Sequence, residues 1–238
     1  MATLWRLHIR NLRLAATLDH GTLSLLCRQG TLYDGSITTK AEILCDRGLQ
    51  ISATVAARGV DLNAASQDVG GNGVLGGVGS ARVDFKANLS AAGQLPARLN
   101  GTWNVDLTDG SWQQRDRHGV FKGKPTRFQS IHASGIFMDG VVKNHNFLLK
   151  SEDMTVNGGG WVNLNKGTLD CNLNVNKKNV PDFPLRLYGS LGAMKTSIGA
   201  GTLLLNTLGS IAGGVVNIFG GLIQGTRRLF TQGGKSSP

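Results

Sequence analysis

The residues best suited to chemistry are scattered along this chain rather than grouped. The histidines, His8, His20, His118, His132 and His145, form no H-E-x-x-H pair and no local cluster with Cys or Asp of the kind that holds a metal. Each therefore reads as a surface or turn residue. Cys27, Cys45 and Cys171 lack C-x-x-C spacing, and an odd number of cysteines cannot all pair. They sit in apolar-alternating segments and read as small buried hydrophobes. Gly71 to Gly76 spells G-x-G-x-x-G, but a dinucleotide site needs a helix after this turn, and Ala81 to Leu89 alternates like a strand. Gly234-Lys235-Ser236 resembles the end of a P-loop, yet the first glycine of that motif would fall on Leu229. No G-x-S-x-G elbow occurs. The sequence thus nominates no catalytic residue, no metal ligand and no cofactor, and the expected protein is not an enzyme.

Charge points to partners instead. A formal net charge of +10 attracts phosphate, whether on nucleic acid or on anionic lipid head groups. The densest basic stretch, Arg115, Arg117, Lys122, Lys124 and Arg127, is accompanied by Trp112, Phe121 and Phe128. It lacks the repeated aromatics on which single strands stack, so a solvated loop or an anionic-lipid contact is expected there, and no nucleic acid. Arg6, Arg10 and Arg13 interrupt every early apolar stretch, so no secretory signal or anchoring helix is read at the start. That pattern fits a cytosolic chain or a piece of a longer protein.

The elements that must position any site are strands. Of 238 residues, 40% are hydrophobic and only 17% charged, enough for a folded core, while 34 Gly against 5 Pro indicates many turns and bulges. Apolar residues recur with period 2 along most of the chain, as on a strand with one buried face. Examples are Leu12 to Leu18, Ile37 to Cys45, Leu49 to Val55, Ala81 to Leu89, Leu99 to Leu107, Leu169 to Val175 and Leu185 to Leu187. Turns are expected at Asp19 to Gly21, Tyr33 to Gly35, Asp109-Gly110, Asp139-Gly140, Asn157-Gly158 and Lys166-Gly167. About ten short strands with short connections imply an antiparallel sheet.

The period changes near the C-terminus. No charged residue occurs between Lys195 and Arg227, and Leu204, Leu208, Ile211, Val215, Phe219 and Leu222 fall on one helical face. Asn206, Asn217, Gln224 and the frequent Gly make Thr196 to Thr226 a poor spanning helix, so an interfacial or groove-capping role is expected, with Arg227 and Arg228 at lipid head groups. The chain divides accordingly into N-terminal strands continuing the sheet (1–68), a Gly-rich loop (69–79), a β region (80–191), an apolar helical segment (192–230) and a tail (231–238).

Several segments together carry a family resemblance. Gly79 to Gly110 (GSARVDFKANLSAAGQLPARLNGTWNVDLTDG), Thr126 to Phe128, Gly135 to Val141 (GIFMDGV), Leu148 to Ser151, Val156 to Leu164 (VNGGGWVNL), Leu169 to Val175 and Pro184 to Leu191 (PLRLYGSL) follow the order of elements in the C-terminal region of AsmA-type bacterial envelope proteins. Gly30 to Gly35 (GTLYDG) and Gly59 to Leu62 (GVDL) match two weaker signatures. The chain resembles that family over most of residues 30–191, the region from 80 to 191 being its AsmA-like C-terminal β region. The resemblance implies a mainly β fold: a curled, Gly-rich antiparallel sheet, as an open trough or partial barrel, followed by the helical apolar segment. It implies a place in the Gram-negative cell envelope on the periplasmic side of the inner membrane, and a role in phospholipid movement and outer-membrane assembly.

Strand parity and resemblance together nominate Val83, Phe85, Val105, Leu107, Phe137, Val156, Leu173 and Leu187 as the lining of a groove for phospholipid or another acyl lipid. A membrane surface and other envelope proteins are the further partners expected. Two other readings of the alternation remain: a two-sheet β-sandwich that recruits a protein, and an outer-membrane barrel, disfavoured because 2 Tyr and 4 Trp are too few for two aromatic girdles.

Overall fold

The computed structural model describes residues 2–4, 7–45, 48–69, 73–89, 99–115, 121–191 and 193–199. In chain order they form β1 (Ala2–Leu4), β2 (Leu7–Asp19), β3 (Thr22–Leu32), β4 (Gly35–Cys45), β5 (Leu49–Asp61), α1 (Leu62–Val69), β6 (Gly73–Leu89) and β7 (Leu99–Arg115). There follow β8 (Phe121–Met138), β9 (Val141–Lys150), β10 (Met154–Asn163), β11 (Thr168–Lys177), β12 (Val180–Ser190) and β13 (Ala193–Ile198). All thirteen strands belong to one antiparallel sheet in which each pairs with its neighbours in sequence, and β1 does not meet β13, so the sheet stays open. The described residues contain no second sheet, which sets aside the sandwich.

Three hairpins turn in two residues whose conformations match the right-handed twist of the strands they join. His20 and Gly21 have φ of 43° and 79°, Tyr33 and Asp34 of 45° and 64°, and Asp139 and Gly140 of 49° and 78°. This is the type I′ pattern, for which glycine and short polar residues are suited.

Two expected turns are not turns. Asp109-Gly110 lies inside β7 and Asn157-Gly158 inside β10. Asp109 takes φ 49° opposite a register shift in β6 between Gly76 and Val78, where Gly77 takes φ 113°. A Cβ on Gly77 would stand 2.7 Å from Gly110 Cα, so the close approach of two backbones requires glycine there. The bulge lets both strands continue. β6, β7 and β8 accordingly reach 17, 17 and 18 residues, and residues 73–79, read as loop, are the first part of β6. Lys122, Lys124 and Arg127, read as loop, lie on β8.

The helix α1 is a second departure, because helical spacing is not visible before Thr196 in the sequence. It is short, and its start is fixed by Asp61, whose Oδ1 accepts hydrogen bonds from the backbone N–H groups of Asn63 and Ala64 at 2.8 and 3.4 Å. Thr196 to Ile198, expected as the beginning of the apolar helix, instead pair with Leu185 to Leu187 as part of β13. The remaining helical expectation, Leu204, Leu208, Ile211, Val215, Phe219, Leu222, Arg227 and Arg228 included, lies outside the described residues. Among the described residues no helix is long and apolar enough to cross a membrane.

Candidate functional site

Register places one side chain per strand into rows that run across the apolar face. One row is Val60, Gly79, Leu107, Ile131, Leu149, Val156, Val175 and Phe183, on β5 to β12. It is packed shut: Leu149, Val156, Val175 and Phe183 are 0% exposed. A parallel row is Val83, Trp103, Gly135, Asn144, Gly160, Cys171 and Leu187, on β6 to β12. Here glycines replace side chains in the middle, and the face is not filled.

The result is a groove of about 190 Å³, walled by Trp103, Val105, Leu107, Ile131 and Ala133 on β7 and β8, by Val142 and Phe147 on β9, and by Trp161, Val162, Leu164 and Cys171 beyond. Gly159 and Gly160 form part of its wall. In a flat sheet β7 and β11 would lie about 19 Å apart, four strand spacings. One small groove touches both, so the sheet curls strongly over this stretch.

The curl has a local cause. A Cβ on Gly159 would stand 2.5 Å from Asn144 O, and a Cβ on Gly160 2.5 Å from Cys171 Cα, distances no real side chain tolerates. Strands coil most where a side chain is missing, and glycine kinks serve that purpose in curved sheets. Beside them, β9 bulges between Phe147 and Asn144 against β10. The Asn144 side chain stabilises this bulge, donating to Ser134 O at 2.7 Å and accepting from the Phe147 N–H at 3.0 Å. Its amide is thus engaged at both ends within the sheet, which leaves the groove wall apolar in character.

The eight residues nominated from sequence all fall on this apolar face by register, but they divide. Val105 and Leu107 line the groove. Val156, Leu173 and Leu187 belong to the closed core, at 0%, 4% and 0% exposure, because the curl drives their strands' side chains together. Phe85 and Phe137 are half-buried around Ala87 and Leu99, and Val83 is half-buried on β6. Parity identified the face but not which part of it stays open. The groove residues it did not nominate are Trp103, Asn144, Phe147 and Cys171. The glycine run at 158–160 is the available signal, and only its start, Asn157-Gly158, reads as a turn in the sequence.

Trp161, opposite Lys143 and Asp170 in register, directs its indole to the polar face, where it is 39% exposed. Trp103 packs at 6.4 Å from Phe137, and its indole N–H is buried without a hydrogen-bond partner, as is that of Trp112. Burial, with the nearby Asp170 charge second, pushes the Cys171 thiol up to about 11, so this sulfur is an inert wall group rather than a nucleophile. Cys27 is buried as expected, whereas Cys45 is exposed, a correction that follows from its place at the end of β4.

The opposite face is polar and paired. Arg186 donates to both oxygens of Asp170, Nε at 2.9 Å and Nη2 at 2.5 Å, and stacks over Tyr188. Arg82 pairs with Asp84, which also accepts from Thr54, and Lys177 pairs with Asp153. Hydrogen bonds from these cations hold all three carboxyls below the usual carboxylate range. Two histidines contact carboxylates, His132 with Asp106 at 2.6 Å and His8 with Asp68 at 2.7 Å. Asp68 also accepts from the Tyr33 hydroxyl, whose pKa rises to about 12, mainly through burial and then through that hydrogen bond. Neither pair reaches the groove, and among the described residues no three metal-binding side chains converge. Compared with protein-family models, with curated proteins and with solved structures, the chain matches none.

Proposed function

We propose that this protein is a non-enzymatic component of the cell envelope that holds or conducts phospholipid, or another acyl lipid, along its curled apolar face. The observation that carries this reading is the groove at Gly159 and Gly160, an apolar concavity left open beside the packed core. Acyl chains gain about 0.8 kcal/mol for each CH₂ moved from water into such a surface. The polar outer face and the open sheet leave a head group in water while the chains are sheltered. No covalent step is required. The resemblance to AsmA-type proteins supports placing this activity on the periplasmic side of the inner membrane, in support of outer-membrane assembly, with the membrane surface and other envelope proteins as partners. No nucleic acid enters this reading.

Mass spectrometry of organic extracts from the purified protein tests it. Co-purified phospholipid in stoichiometric amount is expected, reduced when Ala133→Trp fills the groove. A lipid-free protein that also fails to take up added phospholipid would contradict the reading.

A further inference from the structure

Among the described residues, the longest unguarded edge of the sheet is that of β2. Its 13 residues run from Leu7 to Asp19, but β1 pairs only with Leu7, His8 and Ile9. Among the described residues no strand lies on that side from Asn11 onward. Natural edges are blunted by lysine, proline, a bulge or a covering segment; NLRLAATLD has neither lysine nor proline, and its register irregularities end at Leu14, leaving Leu14 to Asp19 regular. It also exposes apolar surface: Leu12, Leu14 and Leu18 are 42%, 56% and 76% exposed, half of the large hydrophobic side chains so exposed among the described residues.

The backbone is oriented for pairing. The two-residue turn at His20 and Gly21 makes Asp19 and Thr22 a facing pair, so hydrogen bonds to β3 fall on alternate residues counted from Asp19. Leu18, Ala16 and Leu14 then direct their N–H and C=O groups to the open side.

We propose that two copies of the chain join edge to edge through β2, antiparallel and centred on Ala16. Charge selects this occupant and this register. With Ala16 opposite the partner's Ala16, Leu14 faces the partner's Leu18 on the apolar side, and Arg13 faces the partner's Asp19 on the polar side, each pair occurring twice. Arg13 makes no ion pair among the described residues, and Asp19 meets only the exposed His20. Sliding by two residues toward the N-terminus sets Arg13 against the partner's Thr17 and loses both ion pairs. Sliding by one puts apolar against polar faces. In the matched register the apolar face of one copy continues into that of the other.

Analytical ultracentrifugation of the full chain should show a concentration-dependent dimer. Arg13→Asp alone should raise the dissociation constant at least tenfold by placing two carboxylates together, and R13D/D19R should restore it to within about threefold of the starting value. Ala16→Cys should give a disulfide-linked dimer, because facing Cα atoms about 5.5 Å apart permit a disulfide. Ala15→Cys, whose counterpart is Thr17, should not. A monomer at all concentrations, a dimer indifferent to Arg13→Asp, or failure of the charge swap to restore association would each overturn the proposal.

Discussion

The indole of Trp103 lies over Gly135, its direct partner on the next strand, with Nε1 3.1 Å from where a Gly135 Cβ would stand. A large ring thus covers the backbone of a residue that has no side chain, a recognised way of stabilising glycine in a strand. The same device recurs where Phe128 covers Gly110. In both places the glycine admits a close approach and the aromatic restores the buried surface.

Gly135→Ala should therefore be costly although it adds one methyl, because the new Cβ would collide with Lys143 O, a backbone atom that cannot rotate away. A loss of about 1–3 kcal/mol is expected from urea denaturation, as for other overpacked sites. A change under about 0.3 kcal/mol would show that the strands separate freely here.

Trp103→Phe keeps a ring over Gly135 and removes an indole N–H that is buried without a partner. Since an unsatisfied buried donor costs about 1–3 kcal/mol, stability should hold or rise despite the smaller ring. Trp103→Ala should lose about 2–3 kcal/mol through lost packing. Parallel denaturant titrations of the two variants separate the roles of ring and N–H.

The face that contains these residues was legible in the sequence, and its detailed use was not. Val105, Leu107, Leu173 and Leu187 reveal their side by period 2 alone. Asp139-Gly140 and Asn157-Gly158 look alike as dipeptides, yet one closes a hairpin and the other lies within β10. What separates them is the register of neighbouring strands: Gly158 faces Leu173 and Phe147 in mid-ladder, information no local window contains. Likewise α1 is too short to show periodicity, and its positioning depends on distant contacts, including Leu62 against Gly79 and Ser66 Oγ bonded to both the N–H and C=O of Leu75. The groove arises from curl, which the glycines permit but only the assembled sheet displays.

Thiol labelling checks the placement of the cysteines. Native protein should expose one rapidly reacting thiol, Cys45, with Cys27 and Cys171 reacting only on unfolding. Because the folded Cys171 pKa is raised, folding favours its protonated form. Its contribution to stability is present below the unfolded thiol value, ~8.5, and declines as pH rises from there toward about 11. Cys171→Ala should flatten that alkaline decline in a pH series of denaturation midpoints.

The acid limb has the opposite sign. Asp84, Asp153 and Asp170 have folded pKa values below the ordinary carboxylate range, set first by hydrogen bonds from Arg82, Lys177 and Arg186. Their stabilisation is present above the unfolded value of ~3.9 and is lost as pH falls through the folded values. These pairs are exposed, so Asp170→Asn should change stability only slightly at pH 7, while making the loss below about pH 4 shallower. Added salt should reduce the difference between the two proteins at neutral pH.

The central claim is that acyl chains occupy the groove beside Trp103, and fluorescence quenching reaches it directly. In a variant with Trp5, Trp112 and Trp161 changed to Phe, Trp103 is the sole indole. Phospholipid brominated on its acyl chains should quench its emission saturably, and the same lipid without bromine should compete that quenching away. Unquenched emission at lipid concentrations that coat the protein, with the fold intact by circular dichroism, would contradict the account.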